Sequence, residues 1–267
     1  MRAKTLVQIE TINNIRLIGI NRPEKKNCVN SRTADLLLEA FEEFDRDSSV
    51  NVAVLYGIGG TFCAGYDLEE ASRADQKLME KFKTRRPMGP SGMLTSKPTV
   101  AAVQGFAVAG GLELALWCDL RVMEETAVVG VYCRRFGIPL IDGGTVRLPK
   151  LIGLSRAMDL ILTGRPVDAQ EALQMGLANR VVSCGTGLGQ AVDLAHRIAR
   201  FPQECVKADR MSAYHSTFDA ANMQEALDYE FEHGSKILDT ESKTGAKRFL
   251  EGYGRHGSFN MVNPVKS

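Results

Sequence analysis

The sequence predicts an α/β fold, and three observations carry that prediction. Short strand-like and helix-like runs alternate from the first residues onward. A long apolar stretch, Thr99–Val122 (TVAAVQGFAVAGGLELALWCDLRV), runs from strand-like into helix-like sequence through the adjacent glycines Gly110 and Gly111. Beyond Phe201-Pro202 no strand pattern remains and the sequence is helical, as at Met223, Leu227 and Phe231.

Taken in order, Leu6 to Ile9 and Ile15 to Ile20 form a predicted strand pair turning at Asn13-Asn14, and Asn21-Arg22-Pro23 ends the second strand. Asn30 is a predicted N-cap, followed at helical spacing by Ala34, Leu37, Leu38, Phe41 and Phe44. Val52 to Tyr56 reads as a short buried strand. After Leu68 the chain turns polar, and the Pro-, Gly- and Ser-rich stretch from Arg85 to Ser96 reads as a mobile loop. Thr99 to Val103 is a covered strand, and Leu112 to Cys118 is apolar nearly all round, as in a helix packed inside a domain. Further helices fit Arg156 to Leu162, Ala169 to Met175 and Gly189 to Arg200, with a strand at Ala178 to Val182. The expected organisation is therefore a core over residues 1–200 and a helical region over 201–267, suited to covering the core or to an oligomer contact.

Composition narrows the function. With 44% apolar residues the 267-residue chain has ample material for a packed core. Thirty-three basic against 32 acidic side chains, in no long run of one sign, do not describe a nucleic-acid partner. No stretch has the length and apolarity of a membrane span. Six cysteines without a CxxC pair suggest reduced thiols and a cytoplasmic setting. The start of the chain shows no secretory layout and Val265 to Ser267 is no peroxisomal ending. The four histidines have no metal-ligand spacing, the glycines from Gly185 to Gly189 fail the dinucleotide spacing and read as a flexible turn, and no nucleophile elbow is present.

The chemistry concentrates in two glycine-centred segments. Glu113 is a lone carboxylate in an apolar helix whose first turn, opened by Gly110 and Gly111, leaves backbone N–H groups unobstructed. Gly59 to Leu68 (GGTFCAGYDL) leaves another strand. Two such loops can each offer one N–H to a single oxygen, stabilising the oxyanion of a thioester enolate or a tetrahedral adduct, and one good donor is worth roughly 3 kcal/mol of barrier.

These residues resemble the crotonase, or enoyl-CoA hydratase/isomerase, superfamily. The resemblance runs through NRPEKKN (21–27), FCAGYDL (62–68), KPTVAAVQGFAVAGGLELALWCDLRV (97–122), GGTVRLPKLIG (143–153) and LTGRPVDAQEALQMGLANRVV (162–182). It implies a spiral of ββα units with a C-terminal helical oligomerisation region, a homotrimer or homohexamer, and an acyl-CoA or enoyl-CoA substrate. No cofactor is implied, because coenzyme A is part of the substrate. By position, Ala64 and Gly110 are the implied oxyanion-hole donors, and Ala64, Gly65, Tyr66, Asp67 and Gly110 the implied coenzyme A site. Glu113 matches the first of two catalytic glutamates.

The second glutamate is replaced by Cys133, in Gly130-Val131-Tyr132-Cys133, and a thiol is a poor acid-base substitute for a carboxyl. Asp142, three residues before Thr145, is the implied replacement acid; its alternative role is to cap a helix starting near Gly143. Arg134 and Arg135 beside Cys133 read as solvated side chains or as partners of an acidic acyl group. Arg255 matches a basic position near the coenzyme A phosphates. The expected reaction is hydration or double-bond isomerisation of an enoyl-CoA through a stabilised enolate. Thioester hydrolysis, other enolate chemistry and a catalytically silent acyl-CoA-binding protein are the alternatives.

Overall fold

A computed structural model describes residues 5–259; Val265 to Ser267, read above for a targeting ending, lie outside them. The protein opens with β1 (Val7–Ile12) and β2 (Ile15–Ile20), paired antiparallel across a turn in which Asn13 takes φ 54°. Asn30 accepts a hydrogen bond from Thr33 N and so caps α1 (Ser31–Arg46). β3 (Val52–Gly57) is followed by α2 (Leu68–Ala71) and α3 (Gln76–Thr84), then β4 (Thr99–Val103), β5 (Phe106–Val108) and α4 (Gly110–Trp117). β6 (Leu120–Glu124), β7 (Val128–Gly130), α5 (Gly144–Ile152), α6 (Leu154–Thr163), β8 (Val167–Asp168), α7 (Ala169–Gln174), β9 (Arg180–Val182) and α8 (Gly187–Ala199) complete a compact unit ending at Ala199.

A second unit begins at Arg200 and holds α9 (Gln203–Phe218), α10 (Met223–Ile237) and α11 (Lys243–Leu250). Within it α9 and α10 pack together, and Tyr229 is stacked between the rings of His215 and His233. Arg255 donates to the carbonyls of Phe249 and Leu250. No helix among the described residues is long and apolar enough to cross a membrane.

In the first unit, six strands form one sheet in the order β1-β2-β3-β4-β6-β9, parallel from β2 onward, and β5-β7-β8 form a second. Strand alternation divides the large sheet into two buried faces. Val52, Val54, Val100 and Ala102 meet Ala191, Leu194 and Ala195 of α8. Ala53, Leu55, Ala101 and Val103 join Leu37, Phe41 and Phe44 of α1 and the apolar body of α4. Covering on both faces is why β3 and β4 read as unbroken apolar runs rather than alternating ones.

The stretch from Arg85 to Ser96 departs from its expectation. It follows a helix, α3, that the polar sequence obscured, and Pro87 to Ser91 are buried rather than mobile. Gly89 holds φ 79°, where a Cβ would lie 2.5 Å from the Ala34 carbonyl oxygen of α1, so this glycine permits the close approach. Gly185 and Gly187, read as part of a flexible turn, donate their N–H groups to Glu124 Oε1.

Asn27 ties the loop after β2 to the loop after β3. Its side chain is fully buried, accepts from Arg22 N at 2.8 Å and donates to Ile58 O at 2.9 Å and Thr61 O at 2.6 Å. Its φ of 55° also suits asparagine better than most residues. Asn27→Ala leaves one buried and two partly buried backbone groups without partners and is expected to lower unfolding free energy by about 3 kcal/mol, measured by urea denaturation.

Candidate active site

The site forms where two loops meet the start of α4. Cys63 N donates to Phe106 O, and Val108 N to Cys63 O, so the Phe62–Asp67 loop runs beside β5 and reaches the α4 N-terminus. Gly111 is required there: a Cβ would lie 2.0 Å from Cys63 O. Gly65, at φ 100°, packs with its ideal Cβ position 3.0 Å from Ala109 Cβ and 3.1 Å from Gly110 N. Ala109, the N-cap of α4, is held at φ 54° and ψ −126°, a conformation that costs an alanine of order 1–3 kcal/mol and whose strain fixes the direction of the first helical amides.

These contacts decide which N–H groups are available. The Ala64 N–H, an expected oxyanion donor, is already hydrogen-bonded to Lys26 O at 3.0 Å. That assignment is therefore corrected: an amide with a backbone acceptor in the loop cannot also serve a substrate oxygen without breaking the loop. Tyr66 N, two residues on, has no acceptor among the described residues, and neither has Gly110 N. Sequence reasoning placed Tyr66 in the site but missed its amide; the flanking Val29 N to Gly65 O and Asp67 N to Val29 O bonds, which leave Tyr66 N out of the pairing, have no sequence signature.

Ala64, Tyr66 and Gly110 line a cavity of about 550 Å³, together with Glu113, Cys133 and Asp142. Gly65 and Asp67, expected at the coenzyme A site, do not line it. Gly65 backs onto Gly110, and Asp67 is a buried support. Asp67 caps α2 through Glu69 N, and the Arg22 guanidinium, 2.9 Å away, helps hold its carboxyl below the usual range against the opposing effect of burial. The cavity walls are otherwise mainly apolar, from Leu68, Met79, Phe82, Met88 and Phe136 among others.

Two carboxyl groups share this cavity. Glu113, 3% exposed, accepts the N–H groups of Asp142 at 2.9 Å and Gly144 at 2.8 Å, both on Oε1, so Oε2 is its unpartnered oxygen. Burial pushes its pKa up to about 7, with the negative charge of Asp142 adding and the two amides opposing. Asp142, 4% exposed, accepts Met88 N at 2.9 Å and the Ser91 hydroxyl at 2.5 Å, both on Oδ1. Its pKa is raised by burial, against the Ser91 and Met88 hydrogen bonds and the positive charges of Arg86 and Arg147. The capping alternative fails: Gly143 is the N-cap of α5 and no side chain caps it.

Cys133 is buried beside the pair. Burial and the Glu113 charge raise its thiol pKa, so it is a neutral wall residue rather than an acid-base partner. Arg134 donates to Ile161 O, while Arg135 lines the cavity with its guanidinium over the rings of Tyr132 and Phe136.

This geometry has counterparts in known proteins. The Enoyl-CoA hydratase/isomerase family model matches residues 10–256. The protein belongs to the enoyl-CoA hydratase/isomerase family. The chain is 33% identical over 243 residues to enoyl-CoA hydratase EchA19 of Mycobacterium tuberculosis, covering 88% of this chain and 90% of that one. It is 32% identical over 259 residues to a short-chain-enoyl-CoA hydratase of Clostridium acetobutylicum, covering 92% and 97%. A crystal structure of an enoyl-CoA hydratase from Mycobacterium tuberculosis superposes with a TM-score of 0.86 at 33% identity, covering 93% of this chain and 96% of that one. The α/β fold of this family member, with its C-terminal helices, is thus the crotonase fold.

The raised Glu113 pKa has a stability consequence. Burial disfavours the ionised form in the native state, so stability is highest below the unfolded value of 4.5 and falls as pH rises to about 7. Glu113→Gln, which keeps the shape and an acceptor oxygen, is expected to match the parent near pH 4 and exceed it by about 3 kcal/mol at pH 8 in urea unfolding. In the same loop, Gly65→Ala is expected to lower kcat at least tenfold by pressing on Gly110 N, without loss of the folded state as read by circular dichroism.

Proposed function

We propose that this family member hydrates a 2-enoyl-CoA, with isomerisation of the double bond available to the same proton-transfer groups. The observation that carries the reading is the Glu113–Asp142 pair: two buried carboxyls on one cavity, joined through the Asp142 amide and held in different electrostatic surroundings. Tyr66 N–H and Gly110 N–H receive the thioester oxygen, and their preset donors stabilise the charge as the carbonyl becomes an enolate. Syn addition of water needs one ionised carboxylate and one that can hold a proton at neutral pH. Asp142, whose carboxyl has two hydrogen bonds and the positive charges of Arg86 and Arg147 set against its burial, supplies the first and orients water at Cβ; Glu113, pushed up to about 7, supplies the second and delivers its proton to Cα. Electrons move from water to Cβ, from the double bond to the carbonyl oxygen, and back from the enolate to take the proton at Cα. Water's lost proton passes to Asp142, which leaves Asp142 protonated and Glu113 ionised, and a proton transfer from Asp142 to Glu113 by way of solvent resets the pair for the next turnover.

These steps call on neither a metal nor a redox cofactor, coenzyme A being part of the substrate. A homotrimer or homohexamer is supported by uncovered apolar side chains in the C-terminal unit, with Met223 77%, Phe231 74% and Leu250 73% exposed. Six free thiols among the described residues support a cytoplasmic setting.

Glu113→Gln and Asp142→Asn are each expected to lower kcat on a 2-enoyl-CoA by roughly 10²–10⁴-fold with KM little changed, in a steady-state hydration assay. Cys133→Ser should keep activity within a few-fold. A large loss there with Asp142→Asn active would hand the role of Asp142 to the thiol. For the parent, kcat/KM should follow a bell whose alkaline limb lies near 7, where Glu113 loses its proton; a profile rising through that pH reverses the two roles.

A further inference from the structure

The cavity's second acid is held by a segment that contributes nothing to any of the sequence motifs, the buried stretch Pro87 to Ser91. Ser91 is 2% exposed and its hydroxyl donates to Asp142 Oδ1 at 2.5 Å. Met88 N donates to the same oxygen at 2.9 Å, so both donors hold one side of the carboxyl and Oδ2 is its unpartnered oxygen. Arg147 of α5 closes the arrangement, with Nη2 donating to Ser91 O at 2.9 Å and Nη1 to Asp142 O at 3.0 Å. Gly89, pressed against Ala34, fixes where the short 3-10 turn at Pro90–Gly92 places the hydroxyl.

We propose that Ser91 is a positioning residue for the reaction: its hydroxyl fixes the Asp142 carboxyl so that Oδ2 is the oxygen presented to the reacting water. The proposal rests on the proton-transfer role given to Asp142. Its physical basis is that a carboxyl held through one oxygen by two donors has its rotation about χ2 removed, and a hydrogen bond at 2.5 Å to an ionised group is among the stronger ones. Positioned groups raise rate through orientation, so losing the hydroxyl should act on turnover rather than on binding. The hydroxyl also favours the ionised form of Asp142, in company with Arg86 of the preceding segment and Arg147 of α5, while burial and a negative charge on Glu113 of α4 oppose it.

The test compares Ser91→Ala, Ser91→Thr, Asp142→Asn and the double variant Ser91→Ala/Asp142→Asn in 2-enoyl-CoA hydration, with thermal unfolding as the folding control. Ser91→Ala is expected to lower kcat at least tenfold with KM within about twofold, and to move the acidic limb of kcat/KM to higher pH. Ser91→Thr, which keeps a hydroxyl, should restore most of kcat, and the double variant should be no slower than Asp142→Asn. If Ser91→Ala unfolds, the Thr variant and a near-isosteric Ser91→Cys, whose weak donor predicts the same kcat loss and limb shift, carry the test. An unchanged kcat and acidic limb in a folded Ser91→Ala or Ser91→Cys protein, or multiplying effects in the double variant, overturn the proposal while leaving Asp142 in its role. Full activity in Asp142→Asn overturns that role and the proposal with it.

Discussion

The site depends on one oxygen atom accepting two backbone hydrogen bonds. Glu113 Oε1 takes the amides of Asp142 and Gly144, and so fastens the turn before α5 to the buried helix α4. Without that fastening nothing in the local sequence obliges Asp142 to lie beside Glu113, since the two are 29 positions apart. The same bonds partly offset the cost of burying the glutamate, though not fully, and its pKa stays near 7. A structural anchor and the proposed proton carrier are therefore one side chain, whose Oε1 holds the turn while Oε2 has no partner among the described residues.

Competition among backbone amides sets the other half of the site. A loop that approaches a helix start closely must satisfy its own N–H groups, and the Phe62–Asp67 loop does so at Ala64 through Lys26 O. The amide left over, at Tyr66, and the uncapped first amide of α4, at Gly110, have no internal acceptor among the described residues. Gly65 and Gly111 allow the approach, and the strained backbone of Ala109 directs it. Asn27 and the Arg22–Asp67 ion pair keep the loop in place from behind. The direction of these two amides is a by-product of which hydrogen bonds the fold did not complete internally.

Much of the framework was legible because burial is written in apolar periodicity. α1, β3, β4 and α4 were read close to their observed bounds, each a strong pattern with a cap or a glycine at its end. The small sheet was not, since β5, β7 and β8 are only two or three residues long and carry too little alternation to register. Pro87 to Ser91 was misread because proline and glycine usually mark exposed turns, whereas here they let a segment lie flat against α1 and grip Asp142. Glu113, Gly110 and Asp142 were legible as residue types in motifs. The choice of Tyr66 over Ala64 as donor was not, because a hydrogen bond to Lys26 O is a tertiary event with no local signature. Asp67 shows the converse: a motif position facing the expected site in sequence is, in the folded chain, a buried partner of Arg22.

The central claim is that the amides of Tyr66 and Gly110 and the carboxyl pair turn an enoyl thioester into an enolate and protonate it. Incubation of a 2-enoyl-CoA with the protein in deuterium oxide, followed by mass spectrometry of the products, tests it most directly. The account predicts a 3-hydroxyacyl-CoA with deuterium at Cα and the thioester intact. Release of free coenzyme A without water addition, or recovery of unlabelled substrate, would contradict it.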